Sequence, residues 1–246
     1  MLVALFPLVF RDSDEMGTLD KGIYIHEEMI KYAEAMDIFK TFISKELTFE
    51  GKKIYCGIRS DYQDASNYFE SEGSEILEET YITNLKFEGD FLNSLNKEPI
   101  VLDPFIKIFD TKDNTNICSP KILNAYFEYH DKAYPGYYWT SERLRNHLHD
   151  FRIIFALKQT PEEDVIILGS IFVREIEGTG DVYGLSDMGE PSEALREVLF
   201  HKAMQNGYAD NLTSMMFFCD DINDYHLALK KGFKTMGNYT VYLWKL

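Results

Sequence analysis

Few residues in this chain are spaced to do chemistry without help from a fold. His147 and His149 lie two apart in a stretch that reads as helix, so their rings diverge and make a poor metal pair. The run Asp220-Asp221-Ile222-Asn223-Asp224 is acidic but lacks the glycine and distal glutamate of a calcium loop, and helix capping explains it better. Cys56, Cys118 and Cys219 show no CxxC spacing, which suits a reducing compartment, and the chain is expected in the cytoplasm. Tyr134, Tyr137, Tyr138 and Trp139 crowd around Pro135-Gly136, where they either line a cleft or anchor a loop to the core. No Ser-His-Asp arrangement follows from spacing, because such triads assemble in three dimensions.

Acid is the chain's most abundant chemistry. Asp and Glu number 41 against 25 Lys and Arg, a formal charge of -16. A phosphate backbone and an anionic membrane are both repelled by such a surface, so neither nucleic acid nor membrane is an expected partner. An amine-bearing substrate is drawn in by the same field, although acid also simply keeps a protein soluble.

The elements that must position these groups follow from patterning. With 246 residues, 45% apolar and 15% aromatic, the chain can bury one large core or two small ones. The opening MLVALFPLVF is too short to cross a bilayer and reads as a buried strand. In the first segment, residues 1–96, the order is strand, helix, strand, helix, strand. The long helix is expected over Ile25–Leu47, where Met29, Tyr32, Ala33, Met36, Phe39 and Ile43 form one stripe. Strands are expected at Lys53–Ile58 and Ile76–Phe87, with Asp61 capping a short helix between them. A connector with two prolines separates the second segment, residues 102–246.

The second segment opens with a strand at Phe105–Phe109. Ser119-Pro120 starts a helix, and Thr140 or Ser141 starts another. Arg152–Lys158 and Val165–Glu175 form a hairpin, and Asp181–Leu185 follows as a strand. A helix over Ser192–Asn206 is expected to stop at Gly207. Strand Leu212–Cys219, a helix capped by Asp221 or Asn223, and the closing stretch Phe233–Trp244 complete the order. Antiparallel pairs early and a strand–helix–strand crossover late imply a mixed sheet.

That order, with Ile166-Ile167-Leu168-Gly169-Ser170-Ile171 and Leu227-Ala228-Leu229-Lys230-Lys231-Gly232-Phe233, resembles the GNAT N-acetyltransferase superfamily over nearly the whole second segment. The resemblance implies an α/β fold, a GNAT-like mixed sheet flanked by helices, with two related units in tandem and a truncated first one. It implies acetyl-CoA as co-substrate, no metal, and transfer of an acetyl group to a primary amine of a small molecule or peptide. A homodimer is left open. The family's pyrophosphate loop maps onto Ser186-Asp187-Met188-Gly189-Glu190-Pro191, with Ser186 in the basic or amide place and Pro191 in the second small-residue place. The resemblance assigns cofactor binding to Tyr183, Gly184, Leu185, Gly189 and Ser192. It assigns deprotonation of the amine to Glu177 or Asp181. The place of the family's tyrosine acid falls on Ala228, so Tyr225 is the substitute candidate. In the first segment, Lys21-Gly22-Ile23-Tyr24 resembles the end of a second such loop. The alternative is a non-catalytic binding or dimerisation module that keeps the fold and has lost the loop's chemistry.

Overall fold

A computed structural model describes residues 8–11, 22–25, 53–60, 63–89, 102–113, 119–135, 137, 139–160 and 164–244. In chain order the elements are β1 (Leu8–Arg11), β2 (Gly22–Ile25), β3 (Lys53–Arg59), α1 (Gln63–Ser71), β4 (Glu75–Lys86), β5 (Lys107–Asp110), α2 (Pro120–Ala133), α3 (Ser141–Asn146), β6 (Phe151–Gln159), β7 (Val165–Ile176), β8 (Thr179–Ser186), α4 (Glu193–Ala209), β9 (Ser214–Cys219), α5 (Ile222–Lys230) and β10 (Lys234–Trp244). The helix expected over Ile25–Leu47 lies outside the described residues, except that Ile25 ends β2.

The chain forms two units, and their division is not that of the two segments. The first holds Met1–Tyr81, Gly136–Tyr138 and Met236–Leu246, and the second Ile82–Pro135 and Trp139–Thr235. The last strand joins the first unit because β10 pairs antiparallel with β3, from Tyr239 against Arg59 to Trp244 against Ile54.

Within the first unit the strand order is β1-β2-β3-β10-β4. β1 runs antiparallel to β2, and β2 parallel to β3. The expectation that Lys21-Gly22-Ile23-Tyr24 ends a phosphate loop is corrected here. Gly22, Ile23 and Tyr24 are paired on both edges, to β1 and to β3, so their backbone bonds are spent in a sheet. Phe69 of α1 is buried and stacks on Tyr242 of β10, with ring centroids 5.5 Å apart.

The second unit has strand order β4-β9-β8-β7-β6-β5, all antiparallel from β8 to β5, with β8 and β9 parallel. β6 is buried from Phe151 to Leu157, on both faces, which is why that stretch is apolar throughout except for Arg152. β9 alternates instead, with Met215, Phe217 and Cys219 buried. On one face, Tyr126 of α2 stacks on Phe155 and His130 packs edge-on to Phe172. On the other, Phe200 of α4 meets Phe217, and Leu195 and Leu199 cover Gly169. Ser119, Thr140, Ser192 and Asp221 cap the four helices with side-chain oxygens, as their positions before apolar runs predict. Gly207 does not end its helix. It sits inside α4, where an added Cβ would lie 3.2 Å from Leu212 and from the Met215 sulfur, so close packing rather than termination explains it.

Candidate functional site

The second unit's two parallel strands pair over a short distance and then part. Thr179, Gly180, Asp181 and Val182 of β8 face Ser214, Met215, Met216 and Phe217 of β9, and the ladder stops there. β8 runs on to Ser186 and β9 to Cys219. The cause is local. Against β7 the register steps from Phe172–Gly184 to Val173–Val182, which leaves Tyr183 as the extra residue of a bulge. A bulge bends its strand and strengthens its twist, and here it turns β8 away from β9. Gly184 and Leu185 therefore pair with β7 on one edge and have no partner in β9 on the other.

Gly184 is a place of close approach. A Cβ there would sit 2.5 Å from the Tyr134 ring and 2.6 Å from that of Phe172. Tyr134 is buried and its hydroxyl donates to the Ser170 carbonyl at 3.3 Å. Trp139 is fixed from behind. Buried His130 donates from Nε2 to the Trp139 carbonyl at 2.7 Å, so its Nδ1 accepts the Tyr126 hydroxyl at 3.0 Å. Burial lowers the His130 pKa, in keeping with that neutral ring. Tyr183 and Phe218 stack at the fork with centroids 5.6 Å apart.

Just past β8 lies the turn into α4. Gly189 donates its amide to the Leu168 carbonyl at 3.0 Å, and Glu190 donates to the same oxygen at 3.2 Å. The turn hugs β7 so closely that a Cβ on Gly189 would lie 2.2 Å from the Ile167 carbonyl oxygen, which admits only glycine. Buried Ser186 holds Tyr129 at 2.9 Å and receives the Met188 amide at 3.3 Å. The head of α4 is then met by a carboxylate of the chain itself. Asp187 accepts the Ser192 amide at 2.7 Å on one oxygen and Arg196 at 3.1 Å on the other. Arg196 also bonds Asp224 of α5. Asp224 is buried, and desolvation outweighs the Arg196 charge to push its carboxyl up to about 7. Between these helix ends opens a cleft of about 530 Å³ lined by Asp187, Glu193, Arg196, His226 and Lys230 among others.

The candidate residues are thus distributed unevenly. Tyr183, Gly184 and Leu185 form the β8 side of the fork, and Gly189 and Ser192 flank the turn beyond it. Asp181 lies on the same strand, one rung before the last pair, half-buried, with burial raising its pKa and Arg174 opposing that rise. Glu177 is placed elsewhere. It is exposed in the β7–β8 turn at φ 47°, before the other end of β8. Tyr225 is in the first turn of α5, its hydroxyl 2.8 Å from Thr235 Oγ1. Arg174, Arg196 and Asp224 were not singled out by sequence reasoning. The signal for Arg196 was present, as a lone cation one turn into the helix that follows the loop.

No family model matches the chain, and no curated protein matches it. Solved structures do. A GCN5-related N-acetyltransferase from Sphaerobacter thermophilus superposes with a TM-score of 0.63 at 13% identity, covering 96% of this chain and 74% of that one. A GCN5-related N-acetyltransferase-like protein from Streptococcus suis gives 0.53 at 11% identity, covering 98% and 89%. A GCN5-related N-acetyltransferase from Kribbella flavida gives 0.53 at 11%, covering 92% and 79%. The chain has the fold of the GCN5-related N-acetyltransferases.

Proposed function

We propose that the second unit is an acyl-CoA-dependent N-acyltransferase that moves an acetyl group from acetyl-CoA to a primary amine. The observation that carries this reading is the fork: β8 and β9 pair through Val182–Phe217 and part at the Tyr183 bulge. Two parallel strands held apart offer backbone donors and acceptors to an extended ligand, as a missing strand would. The residues present fit the pantetheine arm and thioester of acetyl-CoA at the fork. At the phosphate end they fit less simply, because Asp187 already holds the Ser192 amide and Arg196.

Acetyl-CoA, when bound, supplies the activated acyl group. Tyr183, Gly184 and Leu185 orient it along the fork. Gly189 lets the turn lie against β7 and so sets where the helix begins, and Ser192 heads the helix whose dipole favours a phosphate's charge. The incoming ammonium must give up a proton before its nitrogen can bond to the acetyl carbon. Asp181 takes that proton, directly or through a water. As the C–N bond forms and the C–S bond breaks, the amine's second proton is released and the thiol product gains one. Tyr225 is the candidate donor, and its contact with Thr235 fixes where that hydroxyl rests.

The acceptor is a small molecule or a peptide amine, the setting is the reducing cytoplasm, and the first segment, residues 1–96, is a related unit in tandem. A second reading, a non-catalytic binding or dimerisation module, is favoured by one observation: the Asp187 carboxylate in the place of a phosphate. Titration with acetyl-CoA and assay of thiol release over a panel of amines separate the two. Saturable binding with amine-dependent thiol release supports transfer, and no saturable binding at millimolar acetyl-CoA sinks it.

A further inference from the structure

We propose that the acceptor is a zwitterion, an amine bearing a nearby carboxylate on an apolar body, with Asp181 receiving the ammonium and Arg174 the carboxylate. This rests on the acyl-transfer reading and names its substrate class.

Arg174 and Asp181 are direct partners in the β7–β8 register. Opposite charges placed so across two strands ordinarily close on each other. Here, among the described residues, they form no ion pair. The Arg174 guanidinium is instead drawn over the Trp139 ring, 5.1 Å from its centroid, and its Nε is buried with no hydrogen-bond partner. Trp139 is held there by His130, so the arginine's seat is fixed by the core rather than by Asp181. Asp181 is half-buried beside it and, among the described residues, forms no ion pair.

Two partly desolvated opposite charges stand adjacent yet apart: the Arg174 Nε lacks a hydrogen bond, although its guanidinium meets the Tyr183 hydroxyl, and Asp181 is outside any ion pair among the described residues. One ligand with both charges meets both needs. An ammonium accepts no hydrogen bond, so it goes to Asp181, and a carboxylate suits the planar fork of Arg174. The apolar body has a wall in the stacked rings of Tyr183 and Phe218, which lie on the same face, 5.6 Å apart. Position agrees with role. Asp181 pairs with Met216 one rung before the fork, so an amine held by it arrives beside the place where the acyl group is presented. Aromatic stacking and the arginine also explain why Tyr183 lies against Arg174: burial and Asp181 raise its hydroxyl's pKa, while a hydrogen bond from Arg174 opposes them.

The test uses the full chain and three probes that differ by one group each: L-phenylalanine, its carboxamide, and phenethylamine. Binding is measured by calorimetry without acetyl-CoA, and turnover by thiol release with it. The expected result is that phenylalanine binds at least about tenfold tighter than its amide. In Arg174→Gln that preference falls to within about twofold, while phenethylamine, which lacks the carboxylate, still binds. Near-ultraviolet circular dichroism checks that the variant keeps its fold, and Arg174→Lys restores part of the preference. Equal binding of acid and amide, a preference that survives Arg174→Gln, or binding of none of the three overturns the proposal. Carboxylate preference in calorimetry without thiol release would sink the transferase reading instead, and thiol release without the preference sinks this one alone.

Discussion

Asp187 sits where a ligand phosphate would be expected, and replacing it gives the sharpest test of how the turn works. In Asp187→Ser the carboxylate leaves both the Ser192 amide, 2.7 Å away, and Arg196, 3.1 Å away. A hydrogen bond to a charged group contributes about 1.5–3 kcal/mol. An acid at a helix head adds roughly 0.3–1 kcal/mol. The Asp187 side chain is 18% exposed, so solvent screens it only in part, and the low end of these ranges applies: about 2 kcal/mol of stability lost. For a chain of this size that is a fall in Tm of about 4–8 °C.

The same contacts are what an incoming diphosphate must displace. Relieved of them, the wild-type penalty of about 2 kcal/mol disappears from binding, and acetyl-CoA is expected to bind at least about tenfold tighter. Opposite signs are the point: the fold loses and the ligand gains. Thermal denaturation and acetyl-CoA titration, run on the same preparations, read the two. If affinity is unchanged or weaker while Tm falls, Asp187 is only a helix cap, and phosphate is not seated at α4. Restoring a basic residue at Ser186 is a poorer experiment, since Ser186 is buried and bonded to Tyr129 and the Met188 amide.

Other perturbations follow from the same geometry. Asp181→Asn is expected to lower kcat by about 10²–10⁴ with KM for acetyl-CoA little changed, whereas Glu177→Gln, on the turn at the far end of β8, leaves both alone; steady-state thiol release compares them. Gly189→Ala places a methyl 2.2 Å from the Ile167 carbonyl oxygen, so the turn must shift, costing about 1–3 kcal/mol in denaturant unfolding and weakening acetyl-CoA binding. Asp224 gives a pH signature. Its carboxyl is raised from 3.8 to about 7 by burial, so between those values the folded chain keeps a proton that the unfolded chain has lost. Stability therefore falls by about 1.4 kcal/mol per pH unit over that window and levels off above it. Asp224→Asn should remove this component in urea unfolding at pH 5 and pH 8. An unchanged slope would show that Arg196, Asp220 and Asp221 around it set a different balance.

Much of the second unit was legible because its signals are local. Ser119-Pro120, Thr140 or Ser141, and Asp221 or Asn223 each announce a helix start; Ser119, Thr140 and Asp221 are the caps, and Ser192, read as the first residue of its helix, caps it. The Arg152–Lys158 and Val165–Glu175 hairpin is two apolar runs and a turn. Gly207 misled because a glycine within a helix can mark either an end or a tight contact, and only Leu212 and Met215 decide which. Lys21-Gly22-Ile23-Tyr24 misled because a four-residue likeness carries no information about the two strands that pair with Gly22, Ile23 and Tyr24.

The site was harder to read than the fold, for a physical reason that Arg196 and Arg174 illustrate. A cation's role depends on which carboxylates reach it, and those are set by packing between elements far apart in sequence. Arg196 is answered by Asp187 from a turn and by Asp224 from the next helix, so it is held on two sides. Arg174 has an acid directly opposite in the ladder, yet its guanidinium lies over Trp139 and forms no ion pair with that acid. The one whose neighbour in the register fails to close on it is the better candidate for meeting a substrate. The one sealed by two carboxylates is better understood as tying the turn before α4 to α5.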